Sequence, residues 1–429
     1  MNPSSRFPPL GLGIVAALTP DHWDVEVLDE NFEPFEYREA DLVALTAFTA
    51  AATRAYGIAG LYRDKGTPTV LGGIHASMVP EEAAQYVDTV VIGEADSVWA
   101  KVIADFEAGK LQAMYRGESL DLRGLSKPRH DIFHEGYMFS SIQTARGCPM
   151  DCEFCSVSAF NGRRYRQRPV EEVLDELEAV PRRMVFFVDD NIIGYGRRAA
   201  ERAIALFKGM AERGIKKDWF CQASMNFADN EEVLKHAAKS GCRMVFLGVE
   251  AENTDALEEV NKKLNVRMGV GAYEEVFRRI NRHGIAVLGA FIYGMDRDTR
   301  EALRRRTDYI LRSGVDVMQT THLTPLPGTR LFSKLRDEGR LLYTSFPADW
   351  DHYDMTEVAF KPLLMEPQEL ADVMRESVRR LYRRRSIWRK FAKTWRATRS
   401  LTTAMWAYSS NINYRNVALG SGEPWPPRP

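Results

Sequence analysis

The sequence predicts an α/β protein in three parts: a doubly wound parallel sheet, a six-unit βα barrel with an incomplete wall, and a helical C-terminal extension. Three observations predict it. Short apolar runs alternate with helical stretches over the first 120 or so residues. A second alternation with six strand candidates follows a linker, and from Pro325 onward the pattern turns helical with polar connections. Continuously apolar strands that alternate with helices belong to parallel sheets covered on both faces.

In chain order, the first strands are expected at Asp24–Leu28, Leu42–Phe48, Thr69–Gly72 and Thr89–Ile92. Helices are expected near Ala50–Lys65, Pro80–Tyr86 and Ser97–Ala108. Ligands of such sheets bind beyond the carboxyl ends of the strands. The turns there, Leu71-Gly-Gly-Ile-His75 and Ile92-Gly-Glu-Ala-Asp96, let a bulky ligand approach the backbone. Residues 120–138, with Gly124, Lys127-Pro128 and Gly136, read as a linker. The second set of strands is expected at Ser141–Ala145, Met184–Val188, Trp219–Ala223, Met244–Val249, Ala286–Ile292 and Val315–Leu323. One intervening helix carries Val170, Val173, Leu174, Leu177 and Val180 on one face. Others end near Gly241, Gly284 and Gly314, as glycine C-caps do. The domains implied are 1–122, 136–335 and 336–429, with the last ten residues expected to be disordered.

Composition narrows the function classes. The 429 residues are 45% hydrophobic and 27% charged, with 30 Gly and 20 Pro, which excludes collagen, wholesale disorder and fibre. No uncharged apolar run is long enough to span a bilayer. The first residues show no secretion signal, and five Cys are too few for a disulfide scaffold, so the expected location is the reducing cytoplasm. The net charge of −1 hides a basic segment: Met374–Arg399 holds eleven Lys or Arg and one carboxylate, Glu376. Apolar residues recur there at Met374, Val378, Leu381, Trp388, Phe391 and Trp395. Such a segment suits an anionic membrane surface at the cell periphery, an RNA backbone, or packing that closes the open side of the barrel. The nearly neutral total charge argues against a dedicated nucleic-acid binder.

The most specific feature is Arg146-Gly-Cys148-Pro-Met-Asp-Cys152-Glu-Phe-Cys155. Three soft thiols on one loop after a predicted strand can each bind one iron of a [4Fe–4S] cluster, leaving the fourth iron free for a substrate group. A structural zinc site takes four ligands and finds no partner pair nearby. A redox dithiol from Cys152 and Cys155 leaves Cys148 unexplained. Cys221 and Cys242, among apolar neighbours, read as buried inert thiols.

This C-x3-C-x2-C at the end of the first strand of a six-unit βα barrel resembles the signature of radical S-adenosylmethionine (radical SAM) enzymes. The resemblance implies a reduced [4Fe–4S] cluster that chelates SAM and cleaves it to a 5′-deoxyadenosyl radical, the hard chemistry being the cofactor's. It implies Cys148, Cys152 and Cys155 as metal ligands. It also implies SAM contacts from Phe154, Asp190, Gln222, Ser224, Glu250, Ile292 and Gly294. Asp190 stands in Phe187-Val-Asp-Asp190-Asn191, where the family usually has Gly-Gly-Glu.

Phe7-Pro-Pro-Leu-Gly-Leu, Leu71-Gly-Gly-Ile-His-Ala-Ser-Met-Val-Pro-Glu-Glu82, Val91-Ile-Gly-Glu94, Arg164-Tyr-Arg-Gln-Arg-Pro-Val-Glu-Glu172, Leu323-Thr-Pro-Leu-Pro-Gly-Thr and Asp349-Trp-Asp-His-Tyr-Asp354 resemble one branch of that superfamily. In it a Rossmann-like cobalamin-binding domain precedes a partial TIM-like (β/α)6 barrel, and the branch includes hopanoid methylases. The resemblance implies cobalamin contacts from Thr46, Thr49, Gly72, Gly73, His75, Gly93 and Glu94. It implies C-methylation of a lipid or secondary metabolite, with cyclisation or oxidative rearrangement as the alternative in the same architecture. The partners implied are a small-molecule or lipid substrate and a low-potential electron donor such as flavodoxin or ferredoxin. Asp-x-His-x-x-Gly, which supplies a histidine cobalt ligand in many cobalamin proteins, is absent, and Met1 stands only six residues before Phe7, where relatives carry a further strand. The class without catalysis, an iron–sulfur electron carrier or nucleic-acid-binding module, predicts no SAM turnover.

Overall fold

A computed structural model describes residues 7–419. Its first sheet holds β1 (Val43–Thr46), β2 (Thr69–Gly72), β3 (Thr89–Ile92) and β4 (Met114–Arg116), all parallel and paired in chain order. The central strands β2 and β3 are apolar and buried on both faces because both are covered, whereas edge strand β1 alternates half-buried Val43 and Leu45 with exposed Ala44 and Thr46. Leu71 and Val90 cluster with the helices Ala52–Arg63 and Pro80–Tyr86, whereas Val70, Val91 and Tyr115 cluster with Leu10–Leu18 and Trp99–Glu107.

One expectation fails here, and one helix was not anticipated. Asp24–Leu28 is irregular chain: Val25 and Val27 are half-buried between exposed Asp24 and Glu26, but no strand lies alongside to pair with them. Alternation reports one wet face, and a strand also needs a partner. The helix Leu10–Leu18 was not legible, since its Leu10-Gly-Leu-Gly start has poor helix propensity.

The second sheet begins with β5 (Ser140–Ile142). A two-residue antiparallel ribbon, β6 (Ala145–Arg146) with β7 (Arg166–Gln167), stands beside it and breaks the expected strand Ser141–Ala145. β8 (Met184–Phe187), β9 (Asp218–Ala223), β10 (Cys242–Glu250), β11 (Ala286–Tyr293) and β12 (Val317–His322) complete six parallel strands in the order β12-β11-β10-β9-β8-β5. β5 and β12 are the two ends, so the wall is open. Cys221 and Cys242 are buried within it. Gly241 and Gly284 take the left-handed conformation after their helices. Gly314 does not: the helix Arg300–Arg312 ends on extended Ser313, and a Cβ at 314 would lie 3.1 Å from Phe277 Cβ and 2.9 Å from Glu274 Oε2. Close packing, rather than a cap, requires that glycine.

After the helix Arg330–Asp337 come three more, Pro367–Leu381, Arg384–Thr398 and Leu401–Ala418. The expected single stripe is broken. Met374, Val378 and Leu381 are buried, but Trp388 and Trp395 are 57% and 53% exposed. The chain leaves the helix at Tyr382-Arg383, which resets the phase, and the second helix buries Ile387, Lys390 and Thr394 instead. Lys390 Nζ donates to the carbonyls of Ile310, Ser313 and Val315 at 2.9 Å each, capping the helix Arg300–Arg312. The third helix lays Ala407 and Trp406 against Met244, Leu288 and Val317 of the barrel sheet. Asn411 accepts from Met318 N–H at 3.1 Å and donates to Asp316 O at 2.9 Å, standing in for a neighbour at the free edge of β12. The segment expected to be disordered lies outside the described residues. Among the described residues no helix is long and apolar enough to cross a membrane.

Candidate functional site

The cysteine loop runs from Gly147 to Cys155, directly after β6. Gly147 is left-handed, and a Cβ on it would overlap the Arg164 carbonyl, so only glycine makes this turn. Behind the loop, the fully buried Asp189 carboxylate accepts from Thr144 N–H and Oγ1 at 2.5 Å and from Ala145 N–H at 3.0 Å. At its far side, Asn261 Nδ2 donates to Asp151 O at 2.6 Å, and Arg330 donates to the same carbonyl at 2.8 Å. Glu153 N–H donates to Val260 O at 3.1 Å. The loop is therefore pinned from β8, from the segment after β10 and from the segment after β12.

Cys148, Cys152 and Cys155 are free, half-buried thiols close enough to feel one another's charge. Burial pushes Cys148 up and Cys152 up to about 11. The compensating cation is Lys262. Its burial alone would lower its pKa, but Glu250, Cys152 and Cys155 outweigh that and raise it. Three unpaired thiols beside a buried ammonium, with their backbone fixed, fit thiolate ligation of an iron–sulfur cluster.

The expected SAM residues gather at the carboxyl ends of the neighbouring strands. Glu250 ends β10 with φ of 64°, and its Oε1 lies 2.6 Å from Lys262 Nζ. Asp190, after β8, accepts from Asn161 Nδ2 at 3.0 Å, and burial pushes its carboxyl up to about 6. Gln222 Nε2 reaches Asp189 O at 3.4 Å, and Ser224 Oγ accepts from Asn191 Nδ2 at 3.0 Å. Phe154 packs on the main core, and Ile292 is buried with its carbonyl held by Arg306 Nη1 at 2.6 Å. Gly294 N–H donates to Asp298 Oδ2 at 3.1 Å.

The expected cobalamin residues divide. Thr46, Gly72, Gly73 and Gly93 line the carboxyl ends of β1 to β3, where Ser77 Oγ accepts from Gly93 N–H at 2.9 Å and donates to Gly73 O at 2.8 Å. Thr49, His75 and Glu94 already have protein partners. The His75 ring has no exposure, with Tyr56 Oη 3.1 Å from Nε2, Thr49 Oγ1 3.4 Å from Nδ1 and the Trp350 ring at 5.4 Å. Glu94 is buried between Arg146 Nη1 at 2.8 Å and Arg166 Nη1 at 3.0 Å. Arg146 also pairs with Asp96 at 2.8 Å. Residues 94 and 96 belong to the first sheet's turns and Arg146 and Arg166 to the β6–β7 ribbon that leads into Cys148, so this ion cluster couples the first sheet to the cysteine loop's entry.

Sequence reading missed Arg146, Arg166, Asp189 and Lys262. The first two carried a signal in their place beside Gly147-Cys148 and in Arg164-Tyr-Arg-Gln-Arg168. The last two are recognisable only by burial.

The radical SAM superfamily model matches residues 142–310, and the B12 binding domain model matches residues 2–103. The chain is 30% identical to bacteriochlorophyllide d C-12(1)-methyltransferase of Chlorobaculum tepidum over 89% of this chain and 84% of that one. It is 29% identical to hopanoid C-2 methylase of Rhodopseudomonas palustris over 79% of this chain and 66% of that one. The fold matches the radical SAM methyltransferase TsrM from Kitasatospora setae, solved with tryptophan substrate and a SAM analogue, with a TM-score of 0.69 at 18% identity over 87% and 86% of the two chains. With a pinned three-cysteine loop on one sheet and a small-residue ligand edge on the other, the chain belongs to the radical SAM enzymes, in the branch that carries a B12 binding domain ahead of the radical SAM domain.

Proposed function

We propose that this enzyme is a cobalamin-dependent radical SAM C-methyltransferase whose substrate is a large, apolar polycyclic molecule. The observation that carries the reading is the Glu94–Arg146–Arg166 cluster, which ties the ligand edge of the first sheet to the chain entering Cys148. In this reading Cys148, Cys152 and Cys155 hold a [4Fe–4S] cluster, Glu250 and Asp190 with Gln222 and Ser224 hold SAM, and Thr46, Gly72, Gly73 and Gly93 border cobalamin. Residues 1–122, 136–335 and 336–429 are its domains. When bound, the cluster with SAM supplies one-electron cleavage of a sulfonium, and cobalamin supplies a transferable methyl group.

The chain's own residues position and insulate. Asp189 holds the chain that enters the loop and Arg330 holds the Asp151 carbonyl within it, so the backbone that carries the three thiols is fixed in advance. Lys262 balances negative charge beside Cys152 and Cys155 in a dry setting, where a compensating ammonium counts for more than in water. The polycyclic substrate is supported by relatives named for methylating bacteriochlorophyllide d and hopanoids. The electron donor is of the flavodoxin or ferredoxin class, and the basic C-terminal segment gives a peripheral membrane contact.

The test is anaerobic reconstitution with SAM, methylcobalamin, a reductant and candidate polycycles. A product gain of about 14 Da, the mass of an added CH2, together with 5′-deoxyadenosine is expected, and alanine at any of the three cysteines removes iron and both products. A loss of about 2 Da or an unchanged mass would instead indicate cyclisation or rearrangement.

A further inference from the structure

The basic C-terminal region is divided by the fold into an inward and an outward set. Lys390 and Lys393 turn inward, onto the carbonyls that end the helix Arg300–Arg312 and onto Asp316. Arg375 and Arg380 pair with Asp372 and Asp308. Arg383, Arg384, Arg385, Arg389, Arg396 and Arg399 remain exposed, and none has a carboxylate within ion-pair distance among the described residues. No Asp or Glu occurs between Ser377 and Gly422, so the surface has no internal counter-charge.

The apolar groups on this surface are placed with equal regularity. Positions 384, 388, 395 and 399 follow one another at four- and seven-residue spacing, so Trp388 and Trp395 lie on one line of the helix between two arginines. Both indoles are more than half exposed, as is Leu401, and Met405 is 49% exposed at the start of the next helix. The Trp388 ring packs on Phe391 at 5.5 Å and on Tyr408 at 5.3 Å, which locks the helices Arg384–Thr398 and Leu401–Ala418 into one hairpin. Exposed Trp between arginines is unfavourable in water and suited to the boundary between lipid headgroups and acyl chains.

We propose that this helical hairpin docks the enzyme on an anionic lipid bilayer, with Trp388, Trp395, Leu401 and Met405 inserted at headgroup depth and the six arginines on lipid phosphates. The proposal deepens the membrane contact named above and rests on that reading, not on the reaction. A convex helical surface with aliphatic groups beside its indoles favours lipid over RNA, whose single strands are stacked in grooves. The same hairpin presses its second helix onto the barrel sheet through Trp406 and Ala407, so the docking surface is fixed to the barrel.

The test uses the full chain, anaerobically reconstituted and without polycyclic substrate. Co-sedimentation with vesicles of phosphatidylglycerol and phosphatidylcholine is compared with vesicles of phosphatidylcholine alone. Strong pelleting on the anionic vesicles, falling as salt rises, is expected, with a loss of about tenfold or more in W388S/W395S and in R385E/R389E. These positions lie outside the catalytic machinery, so 5′-deoxyadenosine formation from SAM should be unchanged. Equal partition onto both vesicle types, or salt-insensitive pelleting, overturns the proposal for the wild type before any variant is made. So does tight binding of a single-stranded RNA oligonucleotide that both double variants abolish while vesicle pelleting is untouched. A failed methylation assay leaves these results standing, and failed pelleting leaves the methylation reading intact.

Discussion

Lys262 Nζ lies 2.6 Å from Glu250 Oε1, with Glu250 buried and Lys262 largely covered beside the cysteine loop. Burial costs each charge several kcal/mol, which only the partner offsets. Lys262→Met should therefore lower unfolding free energy by about 3–5 kcal/mol, because Glu250 is left charged in a dry site. The double variant Glu250→Gln/Lys262→Met should recover most of that loss. Urea midpoints for the two single variants and the double close the cycle, and simple additivity would show that the pair is not coupled.

The second coupled group joins the first sheet to the β6–β7 ribbon. Glu94 is 8% exposed and shared by Arg146 and Arg166. Glu94→Gln keeps the shape but leaves two guanidiniums short of charge, at an expected cost of about 3 kcal/mol. Differential scanning calorimetry is the measure. One cooperative transition in the wild type should broaden or split in the variant, since the ion cluster connects the first sheet to the strand entering Cys148.

How far the sequence disclosed this arrangement follows from what each signal measures. β2 and β3 were legible to the residue because a doubly covered strand is apolar throughout. The loop that carries Cys148, Cys152 and Cys155 was legible because its spacing is local in the chain. Lys262 was not, since its significance is a distance to Glu250 across a strand end. Trp388 and Trp395 were placed on one stripe with Met374, Val378 and Leu381 because periodicity cannot register a phase break at Tyr382. Glu94 and His75 were identified as important, but their partners, Arg146 and Trp350, come from distant segments.

His75 illustrates how burial separates two roles. Both ring nitrogens are within reach of Thr49 and Tyr56, and Glu82 Oε1 is 3.6 Å from Nε2. Trp350 Nε1 donates to that same Glu82 carboxylate at 2.9 Å, so the imidazole sits in a polar knot between the first sheet and the C-terminal extension. His75→Gln should cost about 1–3 kcal/mol of stability through lost buried hydrogen bonds. The visible spectrum and stoichiometry of bound corrin should be unchanged. A shifted corrin spectrum would instead show that His75 acts on the corrin.

His322 supplies a pH dependence whose sign is fixed by its surroundings. It ends β12, is 4% exposed, and its Nδ1 meets no hydrogen-bond partner among the described residues. Burial pushes the imidazole from 6.5 down to about 4, with Asp354 acting weakly the other way. A depressed histidine pKa means that the unfolded chain takes up a proton which the folded one refuses. The contribution to stability is therefore complete above 6.5 and is lost as pH falls towards 4. At 1.36 kcal/mol per unit, the whole loss is at most about 3 kcal/mol. His322→Gln should flatten the stability profile by up to that amount between about pH 7 and pH 4.5. Urea midpoints across that range, wild type against variant, measure it. Parallel profiles would mean that the ring is hydrated in the folded protein and that its burial sets no pH dependence.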